Sequence, residues 1–514
     1  MSRSKRFVTG LLSSYAAIGV NILYTLASVP LALHYLTKEE FGLWALVTQL
    51  SGYLMLLEFG MNGSVARSLS DHKDHMQDGI YGSILRTGGR VFAIQGVLVG
   101  LFGLALASFA PPLLGIPPHL QQSFTILMAA QAALSGFRLS LGALGSPLWC
   151  HQRLDLSSLT STVSLVATFA VLWSGFHLGW HLNSLLASTI AGSLVNISLT
   201  YFFCRKLGFY PPREYRGCYD PRLFRELFHF AGGVFVMNLG GQLASASQVI
   251  ILSRLLGIET AAIWSISTKV FSMAQQFVSR PLDSSVAGLA EMAARQESTG
   301  LKNRYRDLVS ISAVMAVAAG ACIALTNGSF VEIWTSGKII WNPWNNLLLA
   351  CALFTSAITS CLTTLPVLSK QFRWWKHVCL LEGVAFVALS IIIVPSLGIP
   401  GLLIATLACK ISTIGCYGIH YTAGYFGISR FSVIGWIAKP AGVFLLSTCL
   451  FVVTIHPKIA NLQPLPRLIV GASIFAAIVI PTLWQFGFES KLHQEIKSRS
   501  LAIYHKCKSL LADA

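Results

Sequence analysis

The sequence predicts an all-α integral membrane protein. It has about 14 transmembrane helices in two six-helix lobes, related by a pseudo-two-fold axis along the membrane normal, with helices 13 and 14 added. Three observations predict it. Of 514 residues, 54% are hydrophobic and only 11% charged, where soluble proteins carry about a quarter charged residues. The basic residues fall into alternate gaps between apolar runs. A pattern near residue 40 returns near residue 260.

Windows of about 19 residues, broken at charge clusters and Gly/Pro turns, place the helices. They run over 8–36, 41–66, 88–110, 120–149, 154–176, 181–204, 229–256, 259–290, 307–330, 345–369, 375–395, 399–424, 435–456 and 466–486. Arg3, Lys5 and Arg6 precede the apolar stretch from Phe7 to Leu36, which is too long for the core of a cleaved signal and reads as an uncleaved first helix. At about 20 residues each, fourteen spans take roughly 280 positions, so no second soluble domain fits. The expected divisions are an N-terminal lobe over 1–212, a C-terminal lobe over 213–426, helices 13 and 14 over 427–488, and a basic cytoplasmic tail over 489–514.

Net charge is +17, which in a soluble chain would suggest nucleic acid; here its distribution reads as topology, and no nucleic-acid partner is expected. With the N-terminus inside, 28 of the 37 Lys and Arg lie in the inner segments and adjoining helix ends, including Arg205, Lys206, Arg213, Arg216, Arg222 and Arg225 in one loop. The outer ends hold Lys38, Arg254, Lys338, Lys458 and Arg467. The bias predicts an even number of spans and both termini in the cytoplasm. Outer turns such as Thr37–Glu40, Phe176–His181 and Pro395–Pro400 are too short to fold a catalytic domain. The cysteines form no CxxC pair and the histidines no HExxH, so neither a metal site nor a cofactor is expected.

Leu36, Glu39, Trp44 and Thr48 align with Leu256, Glu259, Trp264 and Thr268 at an offset of 220. One residue further out of step, Ser64-Val65-Ala66 aligns with Ser285-Val286-Ala287. The repeat unit is therefore six helices. Six is even, so both copies enter from the same side, and a cleft between them is the expected substrate path.

Phe41-Gly-Leu-Trp44-Ala-Leu-Val-Thr48, followed by Glu58-Phe-Gly-Met-Asn-Gly-Ser64-Val-Ala-Arg67, resembles the first helical hairpin of Wzx-type polysaccharide flippases. These belong to the multidrug/oligosaccharidyl-lipid/polysaccharide (MOP) exporter superfamily. The resemblance is strong over about the first 75 residues and then follows the helix count and the repeat. It implies alternating access and export of undecaprenyl-diphosphate-linked oligosaccharide across the bacterial inner membrane, beside polysaccharide-assembly proteins. It implies no enzyme activity.

A charged residue at a helix centre costs about 2.5–3.5 kcal/mol on insertion scales, so each such residue needs a partner or an aqueous cavity. Arg138 lies about 18 Å along its helix from the cytoplasmic end at 1.5 Å per residue, near the midplane. Lys269 and Lys410 lie comparably deep from the outer side. These three are the leading candidates for a cavity that attracts an anionic diphosphate. Arg280 and Asp283 join the substrate-path candidates, with mutual pairing as the alternative. Glu58, Asp283 and Glu382 could each hold a coupling H⁺ or Na⁺, although single carboxylates on separate helices form no recognisable ion site. Arg67 reads as an interfacial anchor.

Gly96, Gly100, Gly232 and Gly233 read as helix-packing positions. Pro30, Pro147, Pro281 and Pro366 are candidate kinks. The tail from Glu489 is expected on anionic membrane lipid. Three readings rival the flippase. They are a MATE-like cation antiporter, disfavoured by cations at the midplane; a MurJ-like lipid II flippase; and a membrane polymerase or ligase, which would need a large outer loop.

Overall fold

A computed structural model describes residues 3–72, 76–151, 153–294, 298–369, 372–450 and 462–487. Every regular element among them is helical. Among the described residues, eleven helices are long and apolar enough to cross a membrane, or twelve if the bent pair Pro118–Ser140 and Gly142–Cys150 is one span. Large apolar side chains on their outer faces, such as Ile94, Val97, Leu101 and Phe102, are exposed, as a protein solvated by lipid requires. The chain is a multi-pass membrane protein.

The first hairpin joins α1 (Arg3–Tyr35) to α2 (Lys38–Leu54). Thr37 caps α2: its hydroxyl accepts from the Glu40 amide at 3.2 Å, and its own amide donates to the Glu40 carboxylate at 2.8 Å, a reciprocal pair that satisfies two orphan donors. The second expected helix does not run unbroken to 66. A 3-10 turn, Met55–Glu58, leads into Phe59 and Gly60 at φ 52° and 72°, and the chain resumes as α3 (Met61–Asp71).

Next come α4 (Ile80–Leu114) and α5 (Pro118–Ser140), an antiparallel pair. Gly96 and Gly136 set its closest approach, since a Cβ on either would stand 2.4 Å from the other's carbonyl oxygen. The fourth expected helix, 120–149, is broken as well: after Ser140 comes a short turn at Gly142–Leu144, then α6 (Ser146–Cys150) at 43° to α5. Gly142, Gly145 and Pro147 are the local cause. The helices α7 (Leu154–His177) and α8 (Leu182–Lys206) close the first six.

The seventh expected helix appears as α9 (Pro221–Ser245) and α10 (Ser247–Leu256), and the eighth as α11 (Ile258–Ser267) and α12 (Lys269–Ala294). The eighth is not among the helices that pass as spans, because α12 carries Lys269, Arg280 and Asp283. There follow α13 (Ser298–Trp334), α14 (Pro343–Leu368), α15 (Phe372–Leu397) and α16 (Ile399–Lys410). A π-helical turn at Ile411–Gly415 connects α16 to α17 (Cys416–Phe426). After α18 (Arg430–Leu450), residues 451–461 lie outside the described set, and α19 (Pro464–Ile474) and α20 (Ile480–Phe486) complete it. The basic tail also lies outside it.

The chain divides into two compact units: Met1–Lys269 with Arg373–Leu402, and Val270–Phe372 with Leu403–Ala514. This division differs from the boundary expected at 212/213, since residues 213–269 and 373–402 fall in the first unit. Close backbone approaches explain why. A Cβ on Gly42 of α2 would lie 2.3 Å from the Ile258 carbonyl oxygen of α11, and one on Gly240 of α9 would lie 2.2 Å from the Cys379 carbonyl oxygen of α15.

Thr48 donates to the Trp44 carbonyl at 2.9 Å, and Thr268 donates to the Trp264 carbonyl at 2.7 Å. The second unit is centred on Leu301, Tyr305, Val309 and Ala313 of α13, which pack with Ile358, Leu362 and Leu365 of α14 and with Trp436 of α18. Tyr305 is fully buried and its hydroxyl donates to the Cys361 carbonyl at 2.8 Å, so its one polar atom is satisfied.

Candidate functional site

In the first unit, Glu58 lies in the 3-10 turn and is half-buried. Its carboxylate accepts from the backbone amide of Asn62 at 2.9 Å, at the start of α3, where helix amides lack partners and negative charge is favoured. Its carbonyl accepts from the Gln95 side chain of α4 at 3.0 Å. Glu58 thus caps a restarted helix. Arg67, nearly two turns along α3, is exposed.

Arg138 is exposed in the last turn of α5, and its carbonyl accepts from the Leu141 amide that closes the helix. A cation there complements the negative end of the helix dipole. Lys269 is half-buried at the first position of α12, directly after the break at Thr268.

In the second unit, Arg280 and Asp283 flank Pro281 on α12. Among the described residues they form no ion pair: Asp283 is exposed and accepts from the Ser279 hydroxyl at 3.3 Å, while Arg280 Nε is buried without a hydrogen-bond partner. Lys410 is half-buried at the last position of α16, where the backbone changes from α to π. Glu382 of α15, in the first unit, is buried.

One relation unites these placements. Arg138, Lys269 and Lys410 each sit at an interruption of a helix: a 43° bend, a break between α11 and α12, and a π-helical turn. Glu58 sits at a fourth, between α2 and α3. Interrupted helices near mid-membrane expose backbone groups that intact helices keep paired, and are tolerated where they are buried in protein or line an aqueous path. Of these interruptions only the bend beside Pro147 is expected from the sequence, as a candidate kink, although Gly60 also signals the one before α3.

Two helices of the first unit are also pinned together at their breaks. Gln242 of α9 donates to the Gly52 carbonyl at 2.8 Å, and the Tyr53 hydroxyl lies 3.3 Å from the Gln242 carbonyl. Tyr53 also hydrogen-bonds Ser247, just past the α9–α10 break.

The sequence profile of the family described as "Polysaccharide biosynthesis protein" matches residues 9–286. No curated protein is significantly similar in sequence. Solved structures share the fold at low identity. The lipid II flippase MurJ, in an inward closed conformation, is 12% identical with a TM-score of 0.60, over 91% of this chain and 99% of its own. An inward-facing multidrug resistance MATE family transporter of the MOP superfamily is 12% identical with a TM-score of 0.60, over 79% and 96%. A MOP superfamily transporter from Pyrococcus furiosus, described by the reverse polarity of its binding pocket, is 12% identical with a TM-score of 0.57, over 82% and 96%.

Proposed function

The chain belongs to the polysaccharide biosynthesis protein family, and we propose that within it this protein is a flippase for undecaprenyl-diphosphate-linked oligosaccharide in the bacterial inner membrane. In this reading fourteen spans form two six-helix lobes plus a final pair, with both termini in the cytoplasm. The head group is attracted by the cations Arg138, Lys269 and Lys410 while the polyprenyl chain stays in lipid. The lobes then rock to expose the head group on the outer side. No bond is made or broken.

The observation that carries the proposal is the placing of these three cations at helix interruptions. A diphosphate is an anion with acceptor oxygens only, and in a low-dielectric setting cations and unpaired backbone amides attract it strongly. Arg138 offers a planar fork of donors, while Lys269 and Lys410 offer mobile point charges suited to contacts that form and release. The MOP fold also carries MATE transporters, but three cations and an Arg280 Nε without a partner repel a cationic drug.

The test is uptake into proteoliposomes. The purified protein is expected to translocate labelled undecaprenyl-diphosphate oligosaccharide and to leave ethidium untouched. Movement of ethidium without the lipid would replace this reading with the cation antiporter.

A further inference from the structure

A small cavity lies within the second unit between α12, α13 and α14, with a volume of about 40 Å³. Its polar lining comes from Gln275 and Ser279 of α12, Ser312 of α13, and Ser356, Ser360 and Cys361 of α14. No ionisable side chain other than the Cys361 thiol lines it. Ser312 is 2% exposed, and its hydroxyl hydrogen-bonds the Cys361 thiol, whose sulfur is a weak partner. Ser360 is exposed, so the cavity has an accessible edge and a buried polar floor.

Hydroxyls in membrane helices ordinarily bond the carbonyl one turn back, as Thr359 does to Thr355 at 2.8 Å and Thr364 to Ser360 at 2.9 Å. The Ser312 hydroxyl faces the Cys361 thiol instead, a weak sulfur partner that leaves most of its hydrogen-bonding capacity open to a stronger one. Hydroxyls and a carboxamide both donate and accept. They match a group that does the same, and they give an anion no charge to pair with. The space holds about three or four waters by the usual requirement of about 10–15 Å³ for each, or one hydroxymethyl or acetamido arm of a sugar.

We propose that this cavity is a subsite for an uncharged sugar arm of the cargo, a reading that rests on the flippase function. The diphosphate is held by the cations and the first sugars are recognised here, so the two ends of the head group are read by different chemistry.

The test uses the full-length protein in proteoliposomes with Ser360→Cys as a reporter. Maleimide labelling of position 360 is followed by mass spectrometry with no lipid, with bare undecaprenyl diphosphate, and with undecaprenyl diphosphate bearing the repeat-unit oligosaccharide of the source strain. At a lipid concentration about ten times Kd, the glycan lipid is expected to slow labelling about tenfold. The bare lipid is expected to leave it unchanged. Equal protection by the bare lipid, or no protection in vesicles that do translocate the glycan lipid, would overturn the subsite and leave the flippase standing. Failure of the wild type to move any lipid-linked glycan would overturn both. As a second readout, Ser312→Ala is expected to raise KM for the glycan lipid about three- to tenfold with kcat retained, the effect of one neutral hydrogen bond; an unchanged KM contradicts the proposal.

Discussion

Gly42 of α2 and Ile258 of α11 are in backbone contact: a Cβ on Gly42 would stand 2.3 Å from the Ile258 carbonyl oxygen. The two residues lie in the two sequence stretches that align at an offset of 220, and both stretches fall in the first unit. Only glycine at position 42 permits this approach.

Gly42→Ala is therefore expected to destabilise the protein by about 1–3 kcal/mol through overpacking. Gly19, which has open space where its Cβ would be, serves as the control, and Gly19→Ala is expected to be neutral or slightly stabilising, because alanine favours helix. Thermal unfolding in detergent compares the two. Equal melting temperatures would remove the Gly42–Ile258 contact from the account.

The clasp between Tyr53 and Gln242 joins α2 to α9 beside the breaks in both expected helices. Tyr53→Phe and Gln242→Ala are each expected to cost about 0.5–1.5 kcal/mol. Because they share one network, the double variant should cost less than the sum. Strict additivity in a double-mutant cycle would show that the bonds act separately.

Glu58 accepts the Asn62 amide at 2.9 Å where α3 begins, so its first duty is structural. Glu58→Gln keeps an acceptor and is expected to retain transport, whereas Glu58→Ala is expected to lose about 0.5–2 kcal/mol of stability, as other cap deletions do. Loss of transport in Glu58→Gln with unchanged stability would instead assign the carboxylate to ion coupling.

In the loop after α8, burial pushes the Tyr210 phenol above its ordinary range, and its hydroxyl donates to the Leu144 carbonyl at 2.9 Å. The folded state holds this proton more tightly than the unfolded chain. The associated stability is fully present below about pH 10, the ordinary tyrosine value, and falls as pH rises further. Tyr210→Phe should flatten the decline of melting temperature above about pH 10. An unchanged slope contradicts the assignment.

Much of the fold was legible because apolar length and charge alternation are read directly from residues. The fourteen expected segments overlap helices among the described residues, of which eleven or twelve are long and apolar enough to cross a membrane, and the thirteenth also meets the undescribed segment 451–461. What composition did not reveal is where helices break. Apolar windows run straight through Phe59–Gly60, Leu141–Gly145 and Ile411–Gly415, because hydropathy averages over the few dihedrals that change. The break at Lys410 has no glycine or proline signal before it, since a π-helical turn keeps helical dihedrals and alters only the hydrogen-bond register. The candidate cations were legible from their cost in a bilayer; that all three mark interruptions was visible only in the structure. Arg280 and Asp283, spaced for an ion pair, form none among the described residues, and Asp283 accepts from the Ser279 hydroxyl.

The central claim is that the cations at helix interruptions line the path of an anionic cargo. The most direct measurement is kcat/KM for labelled undecaprenyl-diphosphate oligosaccharide in proteoliposomes, with Arg138→Gln, Lys269→Gln and Lys410→Gln at matched protein levels. Arg67→Gln on the exposed face of α3 is the control. A charge-assisted hydrogen bond is worth about 1.5–3 kcal/mol, so each of the three is expected to lower kcat/KM roughly ten- to hundredfold, and Arg67→Gln less than about twofold. Equal rates in all four variants and the wild type would contradict the account.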